Sequence, residues 1–262
     1  MEALERIIEA VNSGKTTKAC RTKNKIIIEK ERKKEGTMTR EEKMFFDEIE
    51  KKSKNNPIIK IEITAEEISD YLINKCTDSQ KRVNADSLLY ITSVLAGISC
   101  VKASMSDIRY SDAMERFEMP LLPVETEMGT FLVGDVINEY LANGKLSILN
   151  IFYSLYKNKQ KDVVLPDIQK VVEKNSANMG KAKYRLWNDK HNPYAEKEKF
   201  SIIYDGVIKH IEPFNVDAKM MPAVFGFVLN EITGKVAGVF PENINCYEMV
   251  LETVVFNAHM AY

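Results

Sequence analysis

Residues 63–105, ITAEEISDYLINKCTDSQKRVNADSLLYITSVLAGISCVKASM, decide how this chain is to be read. Thr64 followed by Glu67 has the spacing of a capping box, and Ile68, Tyr71 and Leu72 then line one face of a helix. A short connection, KCTDS, leads to a second apolar-striped helix over 84–96, with Leu88, Ile91 and Leu95 on one face, Leu89 and Val94 beside it, and Gly97 as its stop. The alternation of Ile59, Ile61 and Ile63 with Lys60 and Glu62 predicts a strand over 58–63, and 98–103 reads as a second strand. Strand, two helices and strand are compatible with a winged helix-turn-helix unit.

A DNA-reading helix must present donors to bases and phosphates. Here the candidates Gln80, Lys81, Arg82, Asn84 and Ser87 all sit at the start of the second helix, and the first helix carries Glu66, Glu67 and Asp70, which repel phosphate. The stretch therefore reads first as a packed helical pair and second as a nucleic-acid reader.

Electrostatics leaves the second reading alive. The 262-residue chain has a formal net charge of −1, yet residues 15–34 hold nine Lys/Arg against two Glu, a local +7. Lys23, Lys25, Arg32 and Lys33 of this segment are the candidate phosphate contacts, because clustered cations release condensed counterions on meeting a phosphate backbone. The plainer reading is a solvated charged face around a buried Ile26–Ile28 element, with a third strand over 25–29.

Hydrophobic residues make up 45% of the chain, ample for a continuous core. The sequence shows no unbroken run of about 18 apolar residues, and its acidic first residues lack the pattern of a secretory leader, so a cytoplasmic protein with no membrane partner is expected. Four widely spaced cysteines favour free thiols over a disulfide framework.

Outward from the opening stretch, residues 2–11 predict a helix, and Thr39 with Glu42 caps another that ends before Asn55-Asn56-Pro57. Pro120, Pro123 and Gly129 suggest a linker, which divides the chain into a 1–119 α+β region and a 120–262 mainly helical region that can pack as one domain. Helices are expected over 135–141, 146–156, 167–173, 195–211 and 222–232, with a last one from near Pro241 almost to the end. That final helix is apolar around most of its circumference and belongs in the core. The fold class is thus α+β and helix-dominated, with a small N-terminal sheet.

Catalytic signatures are lacking in the sequence. His191, His210 and His259 have no partner histidine at helical spacing, HExxH is absent, and Glu248, Glu252 and His259 share a helix face without the spacing of a diiron site. No phosphate loop, dinucleotide fingerprint or nucleophile elbow occurs. No metal and no cofactor is expected.

Two phrases are richer than composition requires. In TFLVGDVINEYLANGK, residues 130–145, a strand-like entry turns through Gly134 into a short helix, and Asp135 and Asn138 either brace that turn or face a pocket. In YRLWNDKHNPY, residues 184–194, Tyr184, Arg185, Trp187, His191 and Tyr194 crowd into eleven positions, an enrichment typical of interaction hot spots and also of loops anchored to their own domain. Three functional classes follow in order. The first is a non-catalytic intracellular binding or assembly protein acting through a protein partner. The second is a nucleic-acid-associated protein, and the third an enzyme drawing on Asp135, Asn138, His191 or His210.

Overall fold

A computed structural model describes residues 38–110, 121–159, 166–187, 190–241 and 244–262. The predicted helix over 2–11, the predicted strand over 25–29 and the basic residues Lys23, Lys25, Arg32 and Lys33 lie outside the described residues, as does the 119/120 boundary.

The fold is helix-dominated α+β with one two-stranded antiparallel sheet. Helix α1 (Arg40–Ser53) begins at Thr39, whose hydroxyl accepts from Glu42 N (3.1 Å) while Thr39 N donates to the Glu42 carboxylate (2.9 Å), the capping box that the sequence announces. Helices α2 (Pro57–Lys75) and α3 (Ala85–Tyr110) follow. Then come strands β1 (Leu122–Thr126) and β2 (Gly129–Val133), the short α4 (Asp135–Asn138) that widens into a π turn over Glu139–Asn143, and helices α5 (Ile148–Lys159), α6 (Ile168–Asn178), α7 (Pro193–Ile211), α8 (Met221–Val236) and α9 (Cys246–Ala258).

Both strands predicted around the opening stretch are helical. Residues 58–63 belong to α2, because Pro57 is preset for a first helical turn, Asn56 caps it by accepting from Ile58 N (3.3 Å), and Ile58, Ile61, Ala65, Ile68 and Leu72 form one buried stripe at helical spacing. Six residues of alternation fit either period; the longer stripe decides. Thr64 is consequently no cap: it lies inside α2, buried, and its hydroxyl donates to Lys60 O (2.7 Å).

Gly97 does not stop the second helix, and residues 98–103 continue α3, buried at every position but Lys102. The glycine serves a crossing instead. A Cβ there would lie 2.7 Å from Asn257 Cβ and 2.8 Å from the Ala258 nitrogen, so α9 can pass this close only where α3 has no side chain. Gly226 does the same for α8 against Ile151 of α5 (3.0 Å).

Consecutive in sequence, α2 and α3 are not a packed pair. Helix α2 packs chiefly on α8 and α1, and α3 chiefly on α9 and α8. Helix α3 is long and apolar enough to cross a membrane by length and composition, yet most of its apolar stretch is buried inside this fold. One cluster of buried side chains runs from Ile49 to Met260 and draws on both sides of position 120.

The sheet falls in the expected linker. The Glu127-Met128 turn closes β1 on β2 with Val124 opposite Phe131 and Pro123 opposite Leu132. On its other side β2 meets the chain's last residues: Leu132 N donates to His259 O (2.7 Å) and Ala261 N to Thr130 O (3.0 Å). The last helix starts at Cys246 rather than near Pro241, because Asn245 accepts from both Tyr247 N and Glu248 N.

Candidate functional site

The richest side-chain constellation gathers around the 184–194 segment, between α3, α7 and α9. Leu186 and His191 exchange backbone hydrogen bonds (3.0 and 3.2 Å), and Lys190 N donates to Trp187 O (3.3 Å), which ties the two described stretches of the segment together. Trp187 has φ +59°, the left-handed region that bulky residues avoid, and is only 3% exposed. Its indole holds it there by donating towards Thr253 Oγ1 (2.7 Å) and Met249 O (3.2 Å) on α9.

His191 lies flat on Tyr90 of α3, with ring centroids 3.7 Å apart and planes 12° from parallel. Trp187 meets both rings edge-on. The Tyr90 hydroxyl donates to Glu196 of α7 (3.1 Å), and the nearer imidazole nitrogen is 4.0 Å from the same carboxylate. At the rim Lys190 pairs with Asp86 in the first turn of α3 (2.7 Å). Burial pushes the Tyr90 phenol far up, and Glu196 adds to it, so the phenol stays protonated. Burial also holds the His191 imidazole below its ordinary range, outweighing the pull of Glu196 and Asp86.

Behind this lies a second polar knot. The Tyr184 hydroxyl sits 2.6 Å from Glu252 Oε1 and 2.7 Å from Asn175 Oδ1, Lys174 reaches Glu252 Oε1 at 2.9 Å, and Asn175 Nδ2 donates to Glu252 O (2.9 Å). Burial and the Glu252 carboxylate raise the Tyr184 phenol well above the usual range. Tyr194 packs edge-on against Phe131 and Phe256, and Arg185 Nη1 donates to the carbonyls of Ala182 and Tyr184 (both 2.8 Å). Neutral imidazole, protonated phenol and paired carboxylates make a packing and orienting set; the described contacts pair no nucleophile with a base.

The remaining sequence candidates fall elsewhere. Gln80, Lys81, Arg82 and Asn84 share the exposed connection between α2 and α3. There Asp78 accepts from Gln80 N and Arg82 N and binds the Arg82 guanidinium (3.0 Å), while Asn84 caps α3 by accepting from Ser87 N (2.9 Å). Asp135 is exposed in the first turn of α4, and Asn138 is half-buried at its end. The π turn that follows places Tyr140 to donate to Asp107, which also pairs with Lys219. His210 pairs with Glu67 across α7 and α2 (2.7 Å), and His259 faces Leu132 O through Nδ1 (2.9 Å). No group of three His, Cys, Asp or Glu able to hold a metal occurs among the described residues.

Sequence reasoning missed Tyr90, Asp86, Lys190 and Glu196 around His191. Tyr90 is one residue in an apolar helix, and nothing local says that it meets a loop a hundred residues on. It also missed the outer edge of β1, for which Pro123 was the available signal, since proline within a sheet belongs to an edge strand.

That edge has a definite chemistry. Thr130 O and Leu132 N of β2 bond to Ala261 and His259, so they point away from β1. In an antiparallel ladder directly opposed residues share this orientation. Their partners Glu125 and Pro123 therefore turn the Glu125 N–H and both carbonyls outward. Leu122 and Val124 share a face with buried Phe131, yet remain 52% and 43% exposed. The chain matches no protein-family model, no curated protein and no solved structure.

Proposed function

We propose that this is a non-catalytic binding or assembly protein that acts through a protein partner, whose extended segment adds to the outer edge of β1. The observation that carries this is the β1 edge itself: outward backbone groups at Pro123 and Glu125 beside exposed Leu122 and Val124. Strand addition takes its affinity from such main-chain groups and its specificity from the alternate side chains beside them. Exposed edges are ordinarily blunted, and Pro123 does so in part by removing one donor, which keeps the available pairing short and selective.

A photoreactive amino acid at Val124, with exposed Ile202 of α7 as the control position, tests the proposal in the producing cell. A discrete adduct from position 124 is expected, absent from position 202. Glu125→Pro removes the outward N–H and should suppress the adduct, whereas Glu125→Ala, which keeps the N–H, should not. No adduct, or one indifferent to Glu125→Pro, refutes the proposal.

A further inference from the structure

Residues 122–125 of β1 are exposed at every position, and the two faces of the strand differ in chemistry. Leu122 and Val124 stand on the face of buried Phe131 and form an apolar shelf at the rim of the sheet. Pro123 and Glu125 stand on the opposite face, where the Glu125 carboxylate accepts from Thr130 Oγ1 (3.0 Å), and Glu127 follows in the turn, exposed. A carboxylate has about four lone-pair sites, so the Thr130 hydroxyl positions this one without saturating it. At the Thr126 end a Cβ on Gly180 would lie 2.7 Å from the Thr126 side chain, so the shelf is closed there. We propose that the β1 edge selects an extended partner segment in which apolar and basic residues alternate. Its apolar side chains cover Leu122 and Val124, and a lysine or arginine lies opposite Glu125; this rests on strand addition at the same edge, as read above.

Antiparallel addition gives the more stable ladder. The partner residue directly opposite Glu125 then accepts from its N–H and donates to its carbonyl, and the residue opposite Pro123 donates to the Pro123 carbonyl. That second residue must carry an N–H, which excludes proline there. Directly opposed side chains share a face, so the residue opposite Glu125 meets its carboxylate while the next one, opposite Val124, meets the shelf. Opposite charges in this relation stabilise a sheet, and like charges destabilise it. The main-chain bonds thus carry the affinity and the carboxylate carries the choice of partner. The same acids weigh against a second copy of this chain as the occupant, because two such edges would bring Glu125 and Glu127 of both copies onto one rim.

The test uses the purified full chain with a photoreactive amino acid at Val124 and tagged synthetic peptides as probes. The basic peptide is Thr-Val-Lys-Val-Lys-Val-Thr, and the acidic one has glutamate in place of both lysines. A further basic peptide carries backbone N-methyl groups on both lysines, which removes the N–H groups that would face β1. At low salt the basic peptide is expected to give roughly fivefold more adduct than the acidic one, and the excess should shrink as salt screens the charges. Glu125→Lys should reverse the order, and the N-methylated peptide should give no adduct. Equal labelling by the basic and acidic peptides, or an order unchanged in Glu125→Lys, overturns the selection and leaves strand addition standing. Labelling that survives N-methylation overturns it as adhesion of a cation to an acidic surface. No adduct from any peptide removes strand addition and this inference with it, and an adduct between protein chains in place of a peptide adduct makes a second copy the occupant instead.

Discussion

Substituting Gly97 by alanine tests whether α3 and α9 cross where the structure puts them. The added Cβ would meet Asn257 Cβ at 2.7 Å and the Asn257 carbon and Ala258 nitrogen at 2.8 Å, and the last two are backbone atoms of α9 that no rotamer change can move. Asn257 is further held because its Nδ2 donates to Thr253 O (2.8 Å) and its Oδ1 accepts from Tyr262. Overpacking of this kind costs about 1–3 kcal/mol, and the rigid neighbours place Gly97→Ala in the upper part of that range. Replacing a helical glycine by alanine returns about 0.5–1 kcal/mol, which leaves a net loss of about 1–2 kcal/mol. Gly234 in α8 is the matched control, since a Cβ there meets nothing within 4 Å; Gly234→Ala should stabilise by about 0.5–1 kcal/mol. Urea unfolding with unchanged m-values would show the two variants about 1.5–3 kcal/mol apart on opposite sides of wild type. By heat they should lie roughly 3–12 °C apart for a chain of this size. A Gly97→Ala protein as stable as Gly234→Ala would refute the crossing.

Two further outcomes follow from the buried polar groups. Tyr184→Phe removes the hydroxyl shared by Glu252 and Asn175 and leaves the buried carboxylate with Lys174 as its partner among the described residues, so urea midpoints should report a loss of about 1–3 kcal/mol; a variant that unfolds with wild type contradicts the knot. Burial holds the His259 imidazole below its ordinary value, so the unfolded chain binds that proton more readily. Stability is then complete above about pH 6.5 and falls as pH drops through the folded-state value, with a slope of at most about 1.4 kcal/mol per pH unit from this group. His259→Gln should flatten the curve between about pH 6.5 and 5; identical slopes for variant and wild type would exclude His259 as a source.

What could be read from the sequence followed the reach of each signal. The capping box at Thr39 is a three-residue device and was legible outright, as were the apolar last helix and the strand-like entry at Thr130–Val133. Errors came where two periods compete over a short window. Ile59, Ile61 and Ile63 alternate as a strand does, but Pro57 and the stripe continuing to Leu72 commit them to α2. Gly97 resembles a helix stop because the usual reason for glycine is local, whereas here the reason is α9, 160 residues away in the chain. The same distance hid the site: His191 and Trp187 stood out by composition, but Tyr90, Asp86 and Glu196 acquire meaning only once α3 and α7 are folded around the loop.

The placement of α3 also has a consequence for synthesis. Its principal neighbours are α8 and α9, made last among the described elements. About 150 residues separate the end of α3 from the end of α9, which at ~5–20 residues per second is roughly 7 to 30 s of translation. During that interval the most apolar long helix among the described residues has emerged without its partners, and by length and composition it is long and apolar enough to cross a membrane. The apolar surface of α3 therefore stays uncovered in the nascent chain until Cys246–Ala258 arrives to pack over Gly97.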